Sequence, residues 1–156
     1  MIFDRTQNDV DAAIRLRNEK VKKIESLTEE EVKTLERGTI TINTLNRIEN
    51  KQREIVELFS NLSINVSIEN KTWGVNQIFN ESEFERILEN LNILVSSFSV
   101  YSNTPSVPKI SYYYADINSI EKILFDLEEL YNKALKSFLY CGTLYCGMGL
   151  NYGIQR

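Results

Sequence analysis

DINSIEKILFDLEELYNKALKSFLY, residues 116–140, is the stretch around which the rest of the chain is arranged. Ile117, Ile120, Leu124, Leu127, Tyr131, Ala134 and Phe138 follow one another at steps of three and four without a break. That spacing lays one wide apolar face along a single α-helix. Asp116 suits the N-cap and Gly142 the stop. At 1.5 Å per residue the helix is roughly 35 Å long, and an apolar face of that length must lie against others.

Those other faces are found by working back along the chain. Phe84, Ile87, Leu88, Leu91, Leu94, Val95 and Phe98 form a second stripe, which predicts a helix over 81–99. Leu45, Ile48, Ile55, Val56, Phe59 and Leu62 predict one over 44–62. Its middle, Glu49 to Glu54, is strongly polar, so it is either exposed or set against a polar partner. Val10, Ala13, Ile14, Val21 and Ile24, interrupted by Arg17, predict a helix over 7–24. Thr28 and Glu31 make a capping box that opens a short helix ended by Gly38, over about 28–37.

Ser63 to Ile68 alternates polar and apolar residues with period two and is the best strand candidate. Pro105 and Pro108 favour an extended crossing. The fold class expected is mainly α: an antiparallel bundle of four longer helices plus one short helix, with minor strand or hairpin elements. Residues 1–140 form the helical domain, and 141–156 an aromatic, glycine-rich arm or hairpin.

Composition narrows the functional classes. The 156 residues carry a net charge of −4, and neither half is basic, so no electrostatic footprint for nucleic acid is visible. No apolar run approaches the roughly 20 residues a membrane span needs. The N-terminus lacks a signal-peptide apolar region, which predicts a product that stays in the cytosol where it is made. Histidine is absent, which removes the commonest general base and metal ligand. No catalytic set, cofactor or metal site is expected.

Several clusters have a plain reading. Cys141 and Cys146 are too few for a four-thiolate site and read as packing residues. Glu29, Glu30 and Glu31 favour a helix N-terminus more than a metal. Lys20, Lys22 and Lys23 read as a solvated helix end. The glycosylation-like triplets at Asn61, Asn65, Asn70 and Asn80 are chance matches in an asparagine-rich chain. Tyr112, Tyr113 and Tyr114 read either as a core edge or as a sugar-stacking surface.

The aromatic residues are unevenly spread. Eleven of the 16 lie from Phe98 onward, more than a small helical core needs. Tyr140, Leu144, Tyr145, Met148, Leu150 and Tyr152 make the tail a surface that another chain could cover. With Tyr112, Tyr113 and Tyr114 they are the candidate interaction residues.

Four motifs and the tail carry a resemblance. They are Phe3-Asp4-Arg5-Thr6-Gln7-Asn8-Asp9-Val10-Asp11, Leu45-Asn46-Arg47-Ile48-Glu49, Lys71-Thr72-Trp73 and Asn118-Ser119-Ile120-Glu121-Lys122-Ile123-Leu124, followed by the closing aromatic-glycine pairs. Their order resembles a family of small proteins of tailed phages and prophages of Gram-positive bacteria, encoded among tail, baseplate or fibre genes. The resemblance spans residues 3 to about 147. It implies a virion structural component at the baseplate or fibre attachment, acting through protein–protein interfaces, with no enzymatic activity. It also implies tail, baseplate or fibre partners, a homo-oligomer with a trimer favoured, and passage from the bacterial cytoplasm into a particle. The alternative is a fibre-assembly chaperone or other soluble adaptor that leaves the particle. This chain departs from the family in its tail cysteines and in the polar run Asn50 to Glu54.

Overall fold

Thr6, Thr28, Thr41 and Asn80 each place a side-chain oxygen where it accepts a backbone N–H three residues on, and so start four helices. The computed structural model describes residues 1–20, 26–109 and 113–141, with side chains through residue 137. Its elements are α1 (Gln7–Glu19), α2 (Glu29–Gly38), α3 (Ile42–Asn61), α4 (Glu81–Ser97) and α5 (Tyr114–Cys141). The chain is mainly helical, as its periodicity predicts.

Boundaries shift where the cap differs from the expected one. Thr41 caps α3, so the helix opens two residues before Thr44. Asp116 lies in the first turn of α5 and not at its N-cap, its carboxylate receiving the amide of Tyr113 at 3.3 Å. The described part of α1 ends at Glu19, and the expected continuation through 21–24 lies outside the described residues.

α1 and α2 form an antiparallel hairpin. Asp9 meets Arg37 at one end and Lys20 meets Glu31 at the other. Gly38 is the last residue of α2, and a Cβ there would overlap the Asp9 carbonyl and the Ala13 Cβ. Close approach of two helices, and not a left-handed turn, is what this glycine serves.

The three longer helices do not alternate in direction. Glu49 meets Arg86, Gln52 meets Ile87 and Asn90, and Phe59 meets Phe98, so α3 and the α4 segment advance together. Arg47 meets Glu121 and Lys51 meets Glu128, so α5 advances with them. The expected antiparallel packing of four long helices is therefore corrected to a parallel trio beside the α1–α2 hairpin. The connections do reverse the chain, but the described part of each runs largely extended back beside the helices, so the next helix starts again from the same end. Leu45, Ile48, Ile55 and Phe59 of α3, Phe84, Ile87, Leu91 and Leu94 of α4, and Ile117, Ile120, Ile123, Leu124 and Leu127 of α5 fill the centre.

Three extended stretches fill the grooves between these helices. Residues 1–6 lie along α3 and α5: Ile2 bonds Glu121, Phe3 packs on Phe125 at 5.3 Å, and Arg5 meets Asn118. Residues 63–73 lie along α3 and α4. Residues 98–109 lie along α4 and α5, where Tyr101 receives Lys133 at 2.7 Å and Thr104 donates to Asp126 at 2.7 Å.

The expected strand over 63–68 is extended and alternates half-buried Ile64, Val66 and Ile68 with exposed Ser63, Asn65 and Ser67. Among the described residues it has no strand partner, so it forms no sheet. It begins with a Schellman turn in which Ile64 N–H reaches the Phe59 carbonyl and Ser63 N–H that of Ser60, each at 3.0 Å. Ser63 takes φ 60° there, a conformation glycine adopts more cheaply.

Two substitutions test these backbone readings in thermal melts. Ser63→Gly is expected to stabilise the protein by about 1 kcal/mol, since it removes the left-handed strain. Gly38→Ala is expected to cost roughly 1–3 kcal/mol by forcing α1 from α2.

Candidate interaction surfaces and the buried polar clamps

The polar middle of α3 is where sequence and structure differ most usefully. Glu49 and Gln52 are fully buried, and their polar partner is the protein's own extended segment. The Glu49 carboxylate accepts from the Asn70 side chain at 3.1 Å, the Lys71 amide at 3.1 Å and Trp73 Nε1 at 3.2 Å. The Arg86 guanidinium from α4 closes on the same carboxylate. One turn earlier, Asn46 brackets the Trp73 backbone, accepting from its N–H at 2.7 Å and donating to its carbonyl at 3.0 Å. One turn later, Gln52 joins Asn90, which holds Glu69 N–H at 3.1 Å and Glu69 C=O at 2.7 Å. Helical spacing explains the pattern, because positions 46, 49 and 52 or 53 lie along one face of α3.

Glu121 does the same for residues 1–6. It is fully buried and accepts from Arg5 at 2.8 Å, Arg47 at 2.8 Å and the Ile2 amide at 2.9 Å. Asn118 binds both the amide and the carbonyl of Arg5. Two guanidiniums share one carboxylate here, so donors outnumber acceptors. Arg5 Nη2 and Arg47 Nη2 accordingly have no hydrogen-bond acceptor among the described residues. Asp126, also fully buried, holds Thr104 and Lys122.

These clamps bring together the four sequence motifs named above. Arg5, Arg47 and Glu121 come from three of them. Asn46 and Glu49 grip the Lys71-Thr72-Trp73 segment. Their chemistry is positional: each charged group is spent on an internal partner.

The candidate interaction residues fall in two groups. Tyr112, Leu144, Tyr145, Met148, Leu150 and Tyr152 lie outside the described residues, as does the side chain of Tyr140. Tyr113 is 72% exposed and Tyr114 half-buried. Both line a cavity of about 360 Å³ between the α1–α2 hairpin and the start of α5, with Arg5, Val10, Gly38 and Ile40 among its other walls.

Sequence reasoning misses a second apolar feature. Val75 and Ile78 are 89% and 83% exposed. They project from a turn closed by Gln77 N–H on the Gly74 carbonyl and by the Gln77 side chain on the Gly74 amide, each at 3.1 Å. The turn stands on Trp73 and Phe79, whose rings meet edge-on at 5.5 Å. The signal available was a pair of β-branched residues bracketing Asn76-Gln77 directly after a Trp-Gly step, without helical or strand period.

Among the described residues no group of three or more histidine, cysteine, aspartate or glutamate side chains is placed to hold a metal. Among them, too, no helix is long and apolar enough to cross a membrane. The fold and its clamps thus define a helical protein whose parallel helices are pinned by buried carboxylates. No family model, no curated protein and no solved structure matches the chain.

The clamps yield a direct test. Glu49→Ala leaves the Trp73 indole without its acceptor and takes from Arg86 its fully buried carboxylate, leaving it Glu83 and the Glu69 carbonyl. Removing one partner of a buried ion pair costs about 3–5 kcal/mol, so the melting temperature should fall sharply. Trp73, the only tryptophan and 4% exposed, should shift its emission to the red. An unchanged melt with unshifted emission would show that Glu49 does not hold the segment.

Asp9 gives a pH test. The Arg37 guanidinium, 2.9 Å away, and the Thr6 hydroxyl and amide hold its carboxyl down from 3.8 to about 2. A folded-state value below the unfolded one stabilises above the unfolded value and is lost as pH falls through the folded one. The α1–α2 hairpin should therefore loosen between pH 4 and about 2, and less so in Arg37→Ala, as followed by amide exchange. Arg37 is about a third exposed, so added salt should weaken the effect.

Proposed function

We propose that the protein is a structural component of a phage tail or phage-tail-like particle, at the baseplate or fibre attachment, acting through protein–protein interfaces. The observation that carries this reading is the meeting of the four motifs. Each of the four motifs contributes to a buried clamp, so the residues that carry the resemblance are ones that hold this fold together. A resemblance confined to surface residues would have argued less about architecture.

The surface supports the same reading. Val75, Ile78 and Tyr113 are large side chains left mostly in water on firmly anchored backbone. Such residues mark contact sites when they stand on rigid elements. The arm over 141–156 is the main assembly element in this proposal, its apolar residues covered by another chain. The assembly is a homo-oligomer with closed symmetry, a trimer at a fibre, and the site of action is the particle formed in a bacterial cytoplasm.

Deleting residues 141–156 tests this. The truncated protein should keep its helical circular dichroism but be missing from purified particles by mass spectrometry, where the full chain is found. Full-length protein that never enters particles would instead mark an assembly factor that leaves.

A further inference from the structure

The segment over 63–73 is secured unevenly. From Glu69 to Trp73 its backbone is gripped by Asn90, Glu49 and Asn46. From Asn65 to Ile68, among the described residues, no amide or carbonyl has a hydrogen-bond partner. This stretch is extended, is seated by its even-numbered side chains and carries no charge from Leu62 to Ile68. A depression of about 200 Å³ runs beside it, lined by Val56 and Ser60 of α3 and by Ile64 to Ser67. An extended backbone with unpaired polar groups and a trough alongside is an edge to which another strand can add.

The arm has the matching pattern. Leu144, Cys146, Met148, Leu150, Tyr152 and Ile154 occupy every even position, while the odd positions between them are Tyr145, three glycines and Asn151. Period two with one apolar face is the signature of a half-buried strand. From Gly147 onward the opposite face is small, which lets a backbone lie close to its neighbour. The arm carries no charged residue before Arg156, matching the uncharged edge.

Geometry favours the arm of a second copy. α3 and α5 run parallel, with Arg47 beside Glu121 and Lys51 beside Glu128, so Asn61 and Cys141 lie at the same end of the bundle. The free edge begins at that end too, but in the groove between α3 and α4. For its own arm to reach it, the chain would have to cross a neighbouring helix, about 10 Å wide, immediately after Cys141. That crossing would use up the start of the alternating run, which begins at Leu144. Supplied by another copy, the whole run is free to pair.

We propose that residues 143–154 of one copy add as a β-strand to the backbone edge over 64–68 of the next, with the even-numbered side chains over Val56. The proposal rests on the reading of residues 141–156 as an assembly arm and names the surface that receives it. Edge and arm are different surfaces, so the contact is heterologous and closes into a ring or a swapped oligomer.

Ser67 is the place to test it, because its side chain is exposed and its backbone has no internal bond to lose. Ser67→Pro removes an unpaired N–H from this stretch while suiting extended backbone. Ser67→Lys keeps the N–H and places a charge on the edge. Light scattering and sedimentation equilibrium are run on the full chain, both variants and the protein lacking 141–156. The expected result is an oligomeric full chain, with association at least ten-fold weaker in all three altered proteins and helical circular dichroism unchanged. Variants that associate like the full chain, while the truncated protein does not, overturn this pairing and leave the assembly arm standing. Truncated protein that associates like the full chain overturns both. A full chain that is monomeric at all concentrations overturns pairing between copies.

Discussion

Three helices that run in the same direction demand two long chain returns, and these join the N-terminal stretch as extended segments that must be held in place. An extended segment cannot satisfy its own backbone as a helix does. Each one therefore needs donors and acceptors from outside itself. Glu121 and Glu49 supply acceptors for backbone amides of the first two, and Asp126 holds the third through the Thr104 hydroxyl, all from fully buried positions on helices. Amides at Asn46, Asn90 and Asn118 add bidentate grips on single residues.

Burying carboxylates is costly unless each is paired and hydrogen-bonded. Glu49 and Glu121 meet that condition with arginine: Arg86 for the first, Arg5 and Arg47 for the second. Such pairs add little net stability compared with a well-packed apolar core. What they supply here is register. Trp73 can sit between Asn46 and Glu49 in only one alignment, and Arg5 can reach both Asn118 and Glu121 in only one.

The same arrangement sorts the surface into anchored and unanchored parts. Where the clamps act, the extended segments are fixed and the loop bearing Val75 and Ile78 is held out on a firm base. Where they stop, between Asn65 and Ile68, the backbone finds no hydrogen-bond partner among the described residues. Under the proposed function both have a use: a rigid body for neighbours to locate, and an open edge for a strand from outside.

The elements were legible in residue order alone. Threes and fours in Phe84 to Phe98 and in Ile117 to Phe138 set helices, because side-chain periodicity is local geometry. Thr28 with Glu31 set a helix start, because a cap needs only four residues. The alternation in Ser63 to Ile68 set an extended conformation, and only the missing partner kept it from being a strand. The direction of the helices was decided by tertiary structure, since a long connection is compatible with either sense until its path is known. So was the role of Glu49 and Gln52. In sequence they are a polar interruption of an apolar face. Only when residues 69–73 are laid across that face, far along the chain, does the interruption become the site that holds them.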